Sequence, residues 1–217
     1  MVDRPLPGAN GASGVSATDY WQEHQVGGPY ATLEESAAAL DERLALYPNL
    51  YELMPVSFPG KTVLDYGCGP GHDTLLFLLN GAEHVYFTDI SLFALSETAK
   101  RLYFHELSLN ATNVPISKLP RVDHVHCAGV LHHMLDPVSA LKRMHRALKR
   151  DGTCNVMVYD GDRSKRTQSD VPITHWWGKE EFKAMAREVG FNAKYVGSYE
   201  CSAPWRPDCY AACYELC

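Results

Sequence analysis

No apolar stretch in the 217-residue chain reaches the roughly 18 residues that a bilayer-spanning helix needs. The opening MVDRPLPGANGASG lacks a basic segment followed by an apolar one, so no secretory leader is read there and a cytoplasmic location is expected. Long Lys/Arg runs are missing too, and the formal net charge is −6. A polyanion partner calls for a basic footprint that releases counterions, so nucleic acid is set aside, and a membrane partner with it. Seven cysteines, an odd number without a leader, are read as reduced thiols rather than a disulfide framework. No internal repeat occurs, and no low-complexity block beyond the first 19 residues.

What is present suits a folded, globular chain. Apolar residues make up 46% and charged residues 21%, far from the composition of a disordered chain. The length fits one domain of about 150–200 residues with a modest extra segment. Residues 1–19, rich in Gly, Ala, Ser and Pro, read as a disordered tail. Residues 20–59 read as a helical leading segment, in which 32–46 open on a Thr32-x-x-Glu35 capping box and repeat apolar residues at helical spacing. From residue 60 to 217, short apolar strands alternate with helices, the signature of a doubly wound, mostly parallel α/β sheet. Strands are expected at 62–67, 84–89, 114–117, 124–130, 154–160 and 193–200. Helices are expected to stop at Gly152 and at Gly190.

The chemistry begins at VLDYGCGPGHDT, residues 63–74. A buried strand ends at Asp65 and crosses Gly67, Gly69 and Gly71 into a helix, and glycines let backbone approach a ligand closely. A dinucleotide fingerprint needs a glycine where His72 stands, and a phosphate loop needs Gly-Lys-Ser/Thr, which is missing. A second acid, Asp89, ends the next strand 20 residues after Gly69, where a carboxylate accepts ribose hydroxyls or simply caps the following helix.

With its acid leading a Gly-x-Gly-x-Gly turn, this segment resembles motif I of the class I S-adenosylmethionine-dependent methyltransferases. GVLHHMLDP, residues 129–137, resembles the motif of their small-molecule, ubiquinone-biosynthesis-like members. The resemblance spans about residues 20–200. It implies a Rossmann-like single domain, S-adenosylmethionine as cofactor and S-adenosylhomocysteine as product. It also implies a cofactor set of Asp65 near the methionine ammonium, Gly67, Cys68, Gly69, Gly71, Asp73, Thr74, Asp89 for the ribose, Ile90, Ala128 and Gly129. The family often carries an acid near the adenine, whereas here the chain reads Pro115-Ile116-Ser117-Lys118.

A histidine at the 129–137 motif serves as general base in some relatives, and a neutral imidazole suits that task. His133 is the first choice and His132 the second; the other reading has them capping a helix or holding the cofactor. Tyr20, Trp21 and His24 resemble a lid that closes over cofactor and substrate, or else anchor the leading segment. Past the fifth strand, a long polar insertion at about 161–178 resembles a substrate-side loop. There Asp160 is expected at the strand mouth to handle a proton, and His175 and Trp176 are expected as aromatic walls. No metal site is expected: His124 and His126 are read as packed under a helix, His124 toward solvent. Cys209, Cys213 and Cys217, spaced by four, share one face if helical and read as small buried residues of a final element.

The resulting expectation is methyl transfer to nitrogen or oxygen of a small-molecule acceptor, in secondary metabolism. A protein acceptor, or a noncatalytic S-adenosylmethionine-binding partner subunit, is the alternative.

Overall fold

The computed structural model describes residues 17–24, 26–165, 171–201 and 208–217. Most of the expected disordered tail (1–16) and part of the substrate-side loop (166–170) lie outside the described residues. Three helices lead, α1 (Ala17–Glu23), α2 (Leu33–Leu46) and α3 (Pro48–Leu53). Then follow β1 (Thr62–Tyr66), α4 (His72–Leu79), β2 (His84–Thr88), α5 (Leu92–Phe104), β3 (Ala111–Asn113), β4 (Val122–Ala128), α6 (Pro137–Ala147) and β5 (Leu148–Tyr159). The chain closes with α7 (Lys179–Glu188), β6 (Ala193–Glu200) and β7 (Tyr210–Leu216).

The strands form one sheet in the order β3-β2-β1-β4-β5-β7-β6. Pairing is parallel from β3 to β5, and β7 runs antiparallel to both β5 and β6. Strand β1 shows why the apolar run is continuous rather than alternating. Successive side chains point to opposite faces, and both faces are covered. Val63 packs with Leu75 and Phe77 of α4 and Leu102 of α5, whereas Leu64 packs with Leu141 and Met144 of α6 and Phe182 of α7. Each such burial contributes about 1.5–3 kcal/mol. A third cluster brings Leu50 and Met54 of α3 onto Tyr199, Ala211 and Cys213 of β6 and β7. Since β2 and β4 flank β1 on opposite sides, a crevice opens at the carboxyl ends of β1 and β4, the switch point where such sheets bind ligands.

Local chemistry sets the boundaries. At α2, the Thr32 hydroxyl accepts from the Glu35 amide (3.2 Å), while the Glu35 carboxylate reaches one residue past the cap to the Ala31 amide (2.7 Å). Strand β3 lies at Ala111–Asn113, upstream of the expected 114–117. Pro115 has no N–H to continue a ladder, so 114–116 instead line the crevice. Helix α6 ends at Ala147 rather than at Gly152, because Leu148 already pairs with Val122, and the register shift there absorbs Gly152 into β5. The final cysteines lie on and beside a strand rather than a helix; a spacing of four also keeps one face when the period is two.

Candidate functional site

The crevice is a cleft of about 1680 Å³, larger than the roughly 300–1,000 Å³ typical of one small-molecule site and so able to take a cofactor and an acceptor together. The glycine loop forms its floor. Gly67 (φ +81) donates its N–H to the Thr88 carbonyl (2.8 Å), and a Cβ there would collide with the Val130 side chain. Gly71 (φ +81) is likewise backed by Thr98. Gly69 (φ +53) differs: nothing lies within 4 Å of where its Cβ would point, so a ligand can lie flat on the backbone. Gly67, Cys68 and Gly69 line the cleft, and Gly71 stands behind them.

Asp89 closes the loop from the β2 side. Its carboxylate accepts the Gly69 amide (2.9 Å) through one oxygen and the Ser91 amide (2.8 Å) through the other. Burial raises its pKa while those amides pull it back. Asp89 and Ile90 line the cleft, as do Ala128 and Gly129 at the end of β4. The Gln22 side chain of α1 grips this turn at two points, donating to the Ile90 carbonyl (3.1 Å) and accepting from the Leu92 amide (3.1 Å).

Beneath the loop lies a polar network only partly legible in the sequence. Asp65, expected near the methionine ammonium, is 2% exposed, accepts the Thr74 hydroxyl (2.6 Å), and like Thr74 does not line the cleft. Burial pushes the Asp65 carboxyl up to about 7, against the pull of His126. Asp73 is the acid that faces the cleft. It accepts from Tyr51 (2.7 Å), pairs with His126 (3.1 Å) and stands 3.8 Å from the Arg43 guanidinium. Burial opposes its charge, but Arg43, His126 and Tyr51 together hold it well below the usual carboxylate range. His126 thus belongs to the network rather than merely to the packing. His124 is buried rather than solvent-facing, stacks on Phe58 at 3.9 Å, and is held down to about 3 by burial. Among the described residues no group of three or more His, Cys, Asp or Glu is arranged to hold a metal.

The other half of the cleft is aromatic. His132 and His133 both line it, on a short 3-10 turn after β4. The His132 ring stacks on Tyr159 (3.7 Å), which stacks on Trp176 (4.7 Å), so Trp176 forms a second layer behind the wall. His133 sits against Trp21 of α1, 5.3 Å between ring centres. Its Nδ1 lies 2.9 Å from the Ile173 carbonyl. Tyr20, Trp21 and His24 line the cleft, with Tyr20 and His24 stacked at 3.9 Å.

Two expected residues stand elsewhere. The Asp160 carboxylate is buried away from the cleft, accepting the Asp162 (3.0 Å) and Arg163 (3.2 Å) amides to shape the turn after β5. His175 points its Nε2 to the Met134 carbonyl (2.9 Å), bracing the histidine turn from behind. Sequence reasoning missed Arg43, Tyr159 and Tyr199 at the cleft, and Gln22 on the turn beside it; none carries a local motif.

Comparison with known proteins bears on this geometry. The model of a methyltransferase domain matches residues 37–195. A tRNA U34 carboxymethyltransferase of Shewanella woodyi is 34% identical over 111 residues, covering 48% of this chain and 34% of that protein. This chain therefore spans about a third of the length of the curated relatives it matches. In fold it is similar to the 1,6-didemethyltoxoflavin-N1-methyltransferase of Burkholderia thailandensis (TM-score 0.58, 23% identity, 88% of this chain and 93% of that one). It is also similar to an S-adenosylmethionine-dependent methyltransferase of Mesorhizobium loti (TM-score 0.59, 17% identity, 81% and 99%). No described helix is long and apolar enough to cross a membrane. Gly69's open backbone, the Asp89 carboxylate and the cleft-facing Asp73 suit an adenosyl group carrying an amino acid, and the chain belongs to the methyltransferase domain family, with S-adenosylmethionine as its cofactor.

Proposed function

We propose that the chain transfers a methyl group to nitrogen or oxygen of a small-molecule acceptor, with His133 as general base. The observation that carries this reading is the His133 Nδ1 contact with the Ile173 carbonyl. A carbonyl oxygen only accepts, so Nδ1 bears a hydrogen, and in a neutral ring of that tautomer the lone pair is on Nε2. A base needs that tautomer, held in place at a cleft wall.

When bound, S-adenosylmethionine supplies an electrophilic methyl on a sulfonium. The chain's own part is alignment and exclusion of water. Tyr159 and Trp21 wall the acceptor side, with aromatic faces suited to a cation, and Asp89 and the glycine loop hold the adenosyl side. His133 takes the acceptor's proton. Asp160 acts through the turn it shapes, as a positioning residue. The enclosed aromatic half and the net charge of −6 support a small acceptor over an RNA like that named for the Shewanella relative. Radiolabelled methyl transfer to a panel of phenols and amines, run beside bulk tRNA and protein, tests this. Label in low-molecular-weight product is expected; label in tRNA or protein alone overturns the acceptor class.

A further inference from the structure

We propose that the Arg43 guanidinium and the Tyr199 hydroxyl form a carboxylate-recognising corner of the cleft. The inference rests on the cofactor reading and adds residues to it. Arg43 donates through Nε to the Tyr51 hydroxyl (3.1 Å), and among the described residues that is the guanidinium's one hydrogen bond. Asp73 Oδ2, at 3.8 Å from Nη2, lies in ion-pair but not hydrogen-bond range. The four N–H donors of the two Nη groups therefore have no hydrogen-bond acceptor among the described residues, although the side chain lines the cleft at only 22% exposure.

Tyr199 presents the matching observation from β6. It is 6% exposed and lines the same cleft, and its hydroxyl is buried with no hydrogen-bond partner among the described residues. The Arg43 charge acts on it, and burial keeps the phenol protonated, so it is available to donate. Native folds rarely leave such groups unmet, and a bound group is a common reason when they do. The neighbouring Leu50, Met157 and Cys201 line the cleft too and offer no competing anion.

A planar fork of donors beside a neutral hydroxyl suits a carboxylate, taken through charge-assisted hydrogen bonds. Two sources share that chemistry: the amino-acid end of the cofactor, whose ammonium Asp73 complements, and an acid group on the acceptor.

Calorimetry on the full chain distinguishes them. S-Adenosylhomocysteine and methylthioadenosine, which lacks the amino acid, are titrated into wild type, Tyr199→Phe and Arg43→Lys, and benzoate and toluene into each protein saturated with S-adenosylhomocysteine. Arg43→Lys keeps the charge beside Asp73 and removes the fork, which guards against misfolding. If the corner serves the cofactor, both variants weaken S-adenosylhomocysteine about tenfold or more and leave methylthioadenosine unchanged. If it serves the acceptor, both leave S-adenosylhomocysteine unchanged and abolish a wild-type preference for benzoate over toluene. Tyr199→Phe is expected not to lower Tm, since it deletes an unpaired hydroxyl. Equal weakening of both adenosyl ligands, no change in any titration, or a clearly lowered Tm overturns the corner. Wild type that fails to bind S-adenosylhomocysteine overturns the cofactor reading and the corner with it; wild-type binding with unaltered variants overturns the corner alone.

Discussion

The two halves of the cleft are built differently. The cofactor half is mostly backbone and short polar side chains, drawn largely from residues 65–91 and pinned by hydrogen bonds such as Gly69 to Asp89. The half proposed to take the acceptor is assembled from Trp21, the 131–133 turn, Tyr159 and 171–177, held chiefly by ring stacking. Backbone recognition of a constant ligand tolerates little change, because a Cβ at Gly67 meets Val130 whatever the residue. Ring stacking tolerates exchange of one aromatic for another, which suits the side that selects an acceptor.

Breaking the acceptor half should have the larger effect on turnover. His133→Ala is expected to lower kcat by about 100-fold or more while leaving S-adenosylhomocysteine affinity within a few-fold of wild type. Steady-state kinetics beside calorimetry reads both. Asp89→Ala should do the reverse, weakening S-adenosylhomocysteine about 10- to 100-fold, since it removes the proposed ribose acceptor and frees the Gly69 amide. Equal loss of kcat and affinity in both variants would erase the contrast between the halves.

That contrast also explains what the sequence disclosed. Asp65 to Gly71 and Asp89 were legible because one strand, one turn and the next strand end form a local unit whose spacing carries the geometry. Even so, Asp65 turned out to face Thr74 inside the protein, with Asp73 at the cleft. Helix phase after a tight turn decides which acid looks outward, and spacing alone does not give it. Strand β7 was not legible, since YAACYEL mixes small residues with no polar alternation and is inserted between β6, the strand before it, and β5, which is more distant in sequence. Arg43 and Tyr199 lie 156 positions apart and come to one cleft only through the packing of α3 on the sheet.

A third test sharpens the cofactor half. Asp65 binds its proton more tightly in the folded chain, about 7 against an ordinary 3.8, because burial disfavours the charge. The folded state therefore holds a proton that the unfolded state has released between those values, and this group makes stability fall as pH rises from about 4 to 7, by at most about 1.4 kcal/mol per pH unit. Asp65→Asn should flatten that slope in denaturant titrations; an unchanged slope would mean that Asp65 is an ordinary carboxylate. The smallest effect is expected where the halves join. Gln22→Ala removes two exposed hydrogen bonds between α1 and the Ile90 turn, and should raise KM for both substrates by less than about tenfold with Tm nearly constant.

The most direct test of the account is transfer of labelled methyl from S-adenosylmethionine into a total extract, fractionated into small molecules, RNA and protein, with wild type and His133→Ala side by side. Label is expected in the small-molecule fraction, present with wild type and nearly lost with His133→Ala. Label confined to RNA or protein, or equal labelling by the two enzymes, would contradict it.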